Sequence, residues 1–269
     1  MMSILRLVHP APTVAVVALS AALAFILADQ SGPVPVDRLA LTTATVLGSQ
    51  VLTGALNDWA DRDRDRLARR RKPIVEGLVT SRGALALAAA GGALQLAASV
   101  PLGALALLIG VAASASAIAY NLWLSRTPLS VLPYLVSFGL LPLWIAAGMD
   151  VPLSRVAAAP VLVGPFAAAA HLANTLRDFE TDQRTGSRNL AQVLGRRRAF
   201  AIALGMAMAV GIGVGVAFLL GGNLRALTAV LGFAGLAAVA QGAAGPARLW
   251  TGMLIAAVLW TAAWALGTG

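Results

Sequence analysis

The chain has no cysteine in 269 residues, which excludes disulfides, thiolate catalysis and any Cys-ligated metal. Charge is also scarce: Asp, Glu, Lys and Arg make up 12% of residues, against about 25% in an ordinary soluble domain. With 59% hydrophobic residues and a mean hydropathy of +0.82, the chain cannot be covered by water on all sides. It reads as an integral membrane protein. The first apolar run lacks a clear small-residue cleavage site and is followed by many others. It therefore reads as a retained first helix, not a removed signal peptide.

A membrane-spanning helix needs about 20 apolar residues. That ruler predicts nine spans, over 8–28, 38–56, 82–99, 102–122, 129–149, 155–175, 198–220, 223–241 and 246–267. Helix breakers mark the short connections: Pro101 after Val100, Gly221-Gly222-Asn223, and Gly245-Pro246. The predicted fold is all-α and polytopic, with about nine transmembrane helices around a central cavity.

The basic residues predict the orientation. Of 20 Lys and Arg, only Arg38, Arg155 and Arg225 fall on the side reached after odd-numbered spans. Asp29, Asp37 and Asp150 share that side and bring its balance to zero; the other side holds 17 − 8 = +9. The positive-inside rule makes the crowded side cytoplasmic, in the cell membrane, with the N-terminus in. A pI near 11.6 alone would suit nucleic acid, but basic loops on a polytopic protein are topology determinants and lipid-headgroup contacts. No nucleic-acid partner is expected. Oligomeric state cannot be read from the sequence.

Two acidic clusters stand where apolar runs end. The first is Asn57-Asp58-Trp59-Ala60-Asp61-Arg62-Asp63-Arg64-Asp65, and the second is Asn174-Thr175-Leu176-Arg177-Asp178-Phe179-Glu180-Thr181-Asp182. A shift of 117 residues (174 − 57) lays Asn57 on Asn174, Asp61 on Asp178, Asp65 on Asp182 and Arg71 on Arg188. That offset spans four helices, an even number, so the two copies are expected to be parallel in one domain, 1–269. The internal repeat relates 57–72 to 174–189, and the ninth helix is extra. On a helix, Asn57, Asp58, Asp61 and Asp65 share one stripe, and so do His171, Asn174, Asp178 and Asp182. Asp63 lies off the first stripe as a partner for neighbouring arginines, and Glu180 points away from the second.

Carboxylates beside a membrane core are costly and mark a functional site by default. Set this close together they repel, unless a cation joins them. Mg²⁺ takes oxygen ligands, typically one or two carboxylates plus substrate phosphates. The flanks supply cations suited to phosphate oxygens: Arg69, Arg70, Arg71 and Lys72 after the first cluster, with Arg177, Arg184 and Arg188 around the second. Metal-binding carboxylates with phosphate-binding cations describe a metal–diphosphate clamp. At the mouth of an apolar bundle, it suits an isoprenoid diphosphate whose tail lies between helices.

These residues resemble the UbiA-type intramembrane prenyltransferase superfamily. Its first motif, N-D-x-x-D-x-x-x-D, is matched by Asn57, Asp58, Asp61 and Asp65. Its second, D-x-x-x-D, is matched by Asp178 and Asp182, in the context N-x-x-x-D-x-x-x-D beginning at Asn174. The resemblance implies nine helices around a cavity and Mg²⁺-dependent transfer of a prenyl group to a lipophilic acceptor. It also implies metal–diphosphate binding by both motifs, with those seven residues in the site. Many members carry a Tyr followed closely by Lys in the loop after span four. Here Tyr120 and, at a wider spacing, Arg126 stand there as diphosphate-binding residues.

A terpene synthase, in which the prenyl chain captures its own cation, remains an alternative on the same fold. An ion or solute transporter would need acidic residues deeper in the helices, and spans four, five, eight and nine have none. CDP-alcohol phosphotransferases also use membrane aspartates, but neither Asp58 nor Asp61 is followed by glycine as their motif requires. Among other polar and aromatic residues, Gln95 and Gln241 are expected in interhelical hydrogen bonds, and His171 in the core. Trp144, Trp250, Trp260 and Trp264 are expected in interfacial belts. Tyr120 and Asn121 divide between site and helix-end anchoring.

Overall fold

A computed structural model describes residues 2–220 and 226–267. The break at Gly221-Gly222-Asn223 and the position of Arg225 lie outside the described residues. In a bilayer every backbone N–H and C=O must be satisfied within the segment, which leaves an Ala- and Leu-rich chain the helix as its economical state. The elements are α1 (Met2–Leu7), α2 (Pro10–Asp29), α3 (Val36–Leu67), α4 (Ser81–Ser99), α5 (Ala104–Leu122) and α6 (Leu132–Gly148). They continue with α7 (Ala159–Arg177), α8 (Phe179–Arg184), α9 (Leu190–Leu194), α10 (Arg196–Leu220), α11 (Ala226–Ala240) and α12 (Pro246–Gly267). There is no strand among the described residues.

Each of the nine predicted spans contains one long helix. Eight of these are long and apolar enough to cross a membrane, and the ninth, Leu132–Gly148, is a shorter apolar helix. The expected breaks are short 3-10 turns at Val100–Leu102 and Gln241–Ala244, each followed by a glycine with positive φ, Gly103 and Gly245. Capping fixes other starts. Thr80 Oγ1 accepts from Gly83 N at 3.0 Å to open α4, and Pro10 occupies the first position of α2.

The chain forms two compact units. The first comprises Met1–Ser125 and Leu140–Ala157, and the second Arg126–Gly139 and Ala158–Gly269. In the first unit α3 and α4 touch backbone to backbone. A Cβ added at Gly48 would lie 2.5 Å from Gln95 N, and one at Gly91 2.5 Å from Leu52 N. Small residues allow that approach in lipid. Beside it runs a buried polar chain. Ser49 and Ser114 share a hydrogen bond at 2.8 Å, Ser114 Oγ donates to Gln95 Oε1 at 2.9 Å, and Gln95 Nε2 donates to Gly110 O at 3.1 Å. Gln95 is the interhelical bond former expected, whereas Gln241 lies exposed in a turn. Arg38 donates to the backbone carbonyls of Gly148 at 2.9 Å and Leu102 at 3.2 Å, so it ties down two chain turns as well as carrying charge.

The second unit packs α7, α10, α11 and α12 around Leu172, Leu176, Ala203, Val239, Met253 and Trp260. Two tryptophans correct the belt expectation. Trp144 is 2% exposed and lies against Gly110, and Trp260 is 7% exposed between Gly211 and Gly235. A facing glycine leaves room for an indole, and Trp260 Nε1 finds Gly232 O at 3.1 Å.

Candidate functional site

In the first unit α3 runs past its apolar stretch to Leu67, so the whole first motif is helical. Asp58 and Asp65 are buried, while Asn57 and Asp61 are half-buried. The Asp58 side chain is fully enclosed. Its Oδ1 accepts from Lys72 Nζ at 2.6 Å and lies 3.0 Å from His9 Nε2. Its Oδ2 is buried without a hydrogen-bond partner. Asp65 lies 3.7 Å from Arg70 Nε, and Asp61 lies 3.8 Å from Arg64 Nη1. As expected, Asp63 turns outward, to Arg62 at 3.5 Å and Arg66 at 3.6 Å.

Asn121 anchors the end of α5 and reaches the first motif. It is buried near the end of α5, and its Nδ2 donates to Thr53 O at 2.9 Å. That bond leaves Asn121 Oδ1 as the acceptor for Asn57 Nδ2 at 3.2 Å. Asn57 Nδ2 also reaches Asp61 Oδ2 at 3.5 Å. Both of these contacts are made through the Asn57 nitrogen. Tyr120 is half-buried one residue before Asn121. Arg71 is exposed on the loop that carries Lys72.

In the second unit the acidic stripe is broken where a single helix was expected. α7 ends at Arg177, Asp178 takes φ −97 and ψ 9, and α8 begins at Phe179. Thr175 Oγ1 bonds back to Leu172 O at 2.9 Å, a contact that bends helices. The Asp182 N to Asp178 O bond at 2.9 Å keeps one helical link across the joint. Asn174 and Asp178 are half-buried, and Asp182 is buried. Asn189 Nδ2 donates to Asp182 Oδ2 at 2.8 Å, while Asn189 Oδ1 caps α9 by accepting from Gln192 N at 3.0 Å. Asn189 was not expected in the site, although Asn followed three residues later by Gln is a helix-start signature. Glu180 points away, to Arg196 at 2.7 Å.

Arg126 and Arg188 come together, since Arg188 N donates to Arg126 O at 3.1 Å and both side chains are exposed. Arg177 is exposed at the end of α7. His171 is a core residue as expected, 3% exposed, with its ring stacked on Tyr134 at 4.2 Å between centroids.

No group of three or more His, Asp and Glu gathered to hold a metal occurs among the described residues. The donor set still fits Mg²⁺. That ion keeps waters and uses one or two carboxylates plus substrate phosphates, so a site completed by its substrate needs no preformed protein cage. The orphaned Asp58 Oδ2 is an oxygen whose burial no hydrogen bond offsets.

Fold and site define a polytopic helical membrane protein with two amide-and-carboxylate motifs, each flanked by cations. The sequence profile described as the UbiA prenyltransferase family matches residues 17–244, so this chain belongs to that family of prenyl-transferring enzymes. It is 36% identical over 108 residues to a 4-hydroxybenzoate octaprenyltransferase of Cupriavidus metallidurans, a match that spans 38% of this chain and 33% of that relative's length. The apo structure of a UbiA homolog from Aeropyrum pernix K1 is 25% identical, with 92% of this chain and 96% of that one covered and a TM-score of 0.70. A UbiA homolog from Archaeoglobus fulgidus bound to DMAPP and Mg²⁺ is 20% identical. It shares the fold, with 98% and 99% covered and a TM-score of 0.72.

Proposed function

We propose that this protein transfers a prenyl group from an isoprenoid diphosphate to a lipophilic acceptor of the aromatic class, with Mg²⁺, inside the membrane. The observation that carries the proposal is the doubled motif. In each copy a buried carboxylate, Asp58 or Asp182, is held by a neighbouring ammonium or amide, and Asp58 Oδ2 is left without a hydrogen bond. Asn57, Asp58, Asp61 and Asp65, with Asn174, Asp178 and Asp182, supply the oxygen ligands. Lys72, Arg71, Arg177, Arg188, Arg126 and Tyr120 take the diphosphate oxygens. The relatives named above support the reading, one by its aromatic acceptor and one by the DMAPP and Mg²⁺ it binds.

Mg²⁺, when bound, neutralises charge that builds on the departing pyrophosphate. The cationic side chains add to that effect where the charge develops. The C1–O bond of the prenyl diphosphate breaks with its electron pair leaving on pyrophosphate. The acceptor's nucleophilic atom forms the new bond to C1 and then loses its proton. The apolar helices exclude water, which would otherwise capture the allylic cation. In this reading the motifs face the cytoplasm of the cell membrane and the N-terminus lies inside, in keeping with the +9 balance of that side.

The test is incubation of purified protein with dimethylallyl, geranyl and longer prenyl diphosphates plus Mg²⁺, with and without a panel of aromatic acceptors. Prenylated acceptor with stoichiometric pyrophosphate supports the proposal. A cyclic hydrocarbon formed without acceptor would assign the chain to the cyclases instead.

A further inference from the structure

The first acidic motif is held by a chain segment that no sequence pattern tied to it. His9 sits between α1 and α2 with φ 51, a left-handed conformation that non-glycine residues rarely adopt. From there its Nε2 lies 3.0 Å from Asp58 Oδ1, the same oxygen that accepts from Lys72 at 2.6 Å. An unprotonated Nε2 would set a lone pair against the carboxylate at that distance. The geometry therefore assigns the ring proton to Nε2, which donates to Oδ1. The 3.4 Å between Lys72 Nζ and His9 Nε2 is then a contact between two donors to one oxygen.

The rest of the segment is pinned to the loop that carries Lys72. Leu7 is fully buried and packs in one cluster with Ile74 and Ala84. Arg6 Nη1 pairs with Glu76 at 2.9 Å, and Arg6 Nη2 donates to Arg71 O at 2.9 Å. Residues 6–9 thus grip the loop on both sides of Lys72 as well as the carboxylate beneath it.

We propose that His9 is a positioning residue for diphosphate binding, and that Arg6–His9 form the strap that places it. A lysine is a compact charge on a flexible four-carbon stem with three donors. Held by one strong bond to an enclosed carboxylate, the Lys72 ammonium keeps one geometry and presents its other N–H groups to a phosphate oxygen. His9 fixes that carboxylate. Without His9, ordering Asp58 and Lys72 falls on the binding step and weakens it. This inference rests on the diphosphate site proposed above.

The experiment titrates inorganic pyrophosphate with Mg²⁺ into purified full-length protein by calorimetry, beside steady-state pyrophosphate release from geranyl diphosphate. One hydrogen bond to a charged group corresponds to about tenfold in affinity. His9→Leu should therefore weaken pyrophosphate binding and raise KM for the prenyl diphosphate by about that factor, with a much smaller change in kcat. His9→Gln, whose side-chain nitrogen can replace Nε2–H, should restore most of the loss. His9→Asn tolerates the left-handed backbone but is too short to reach Oδ1, and it gives the same reading if His9→Leu does not fold. Wild-type pyrophosphate affinity and KM in His9→Asn, or a His9→Gln no better than His9→Leu, would overturn the positioning role. A wild-type protein that neither binds Mg²⁺-pyrophosphate nor turns over would bring down the diphosphate reading itself, and this inference with it.

Discussion

Asn121 joins the end of α5 to α3, at Thr53 and at Asn57 of the first acidic motif. Asn121→Ala removes the bond from Nδ2 to Thr53 O at 2.9 Å and the acceptor for Asn57 Nδ2 at 3.2 Å. A neutral hydrogen bond contributes about 1 kcal/mol, and a polar group left buried costs ~1–3 kcal/mol. The loss should total about 2 kcal/mol, because Asn57 is only half-buried and can find water. In a chain of this size that lowers Tm by roughly 4–8 °C. The functional effect is larger in proportion. In the proposed reading Asn57 also loses the contact that turns its carbonyl oxygen toward a cation, and removing such a supporting partner typically weakens metal affinity roughly 10–100-fold. The assay is pyrophosphate release from a prenyl diphosphate as Mg²⁺ is varied, read beside a thermal melt in detergent. The half-saturating Mg²⁺ concentration should rise by that factor, with much of kcat recovered at high Mg²⁺. A lowered Tm with unchanged Mg²⁺ dependence would refute the reasoning, since it would make Asn121 a helix anchor alone.

Gly91 and Gly92 give a paired test of helix contact. A Cβ at Gly91 meets backbone atoms of Leu52 and Gly48 within 2.8 Å, whereas at Gly92 the nearest atom is a Leu52 methyl at 3.8 Å. Gly91→Ala should lower stability by about 1–3 kcal/mol, and Gly92→Ala should be neutral or stabilising by about 0.5 kcal/mol, both read from melting in detergent. Glu180→Gln breaks only the pair with Arg196, whose side chains are 59% and 50% exposed. It should change stability by under about 1 kcal/mol and leave the rate of pyrophosphate release at the wild-type level, unlike changes at Asp178 or Asp182 beside it.

The helices and the acidic motifs were legible because both are written in local chemistry. Apolar runs of about 20 residues have one stable state in lipid, and Asn57, Asp61 and Asp65 announce a shared face through their spacing of four. The same spacing put Asp63 and Glu180 off the stripes, and both turn outward to arginines. Features set by distant contacts were not legible. His9 meets Asp58 across 49 residues of chain, and nothing near His9 encodes that meeting. Trp144 and Trp260 carry the amphipathic chemistry of a belt residue, and only the glycines facing them draw them into the core. The joint at Asp178 is intermediate: Thr175 and the Asn189–Gln192 cap are local signals, but a stripe of period four conceals a bend.

Pyrophosphate release by Asp61→Ala and Asp178→Ala, each checked for folding by its melting curve, tests most directly whether each acidic motif serves the proposed magnesium–diphosphate chemistry. Each substitution alone should abolish Mg²⁺-dependent release from a prenyl diphosphate. Full turnover in either folded variant would contradict the account.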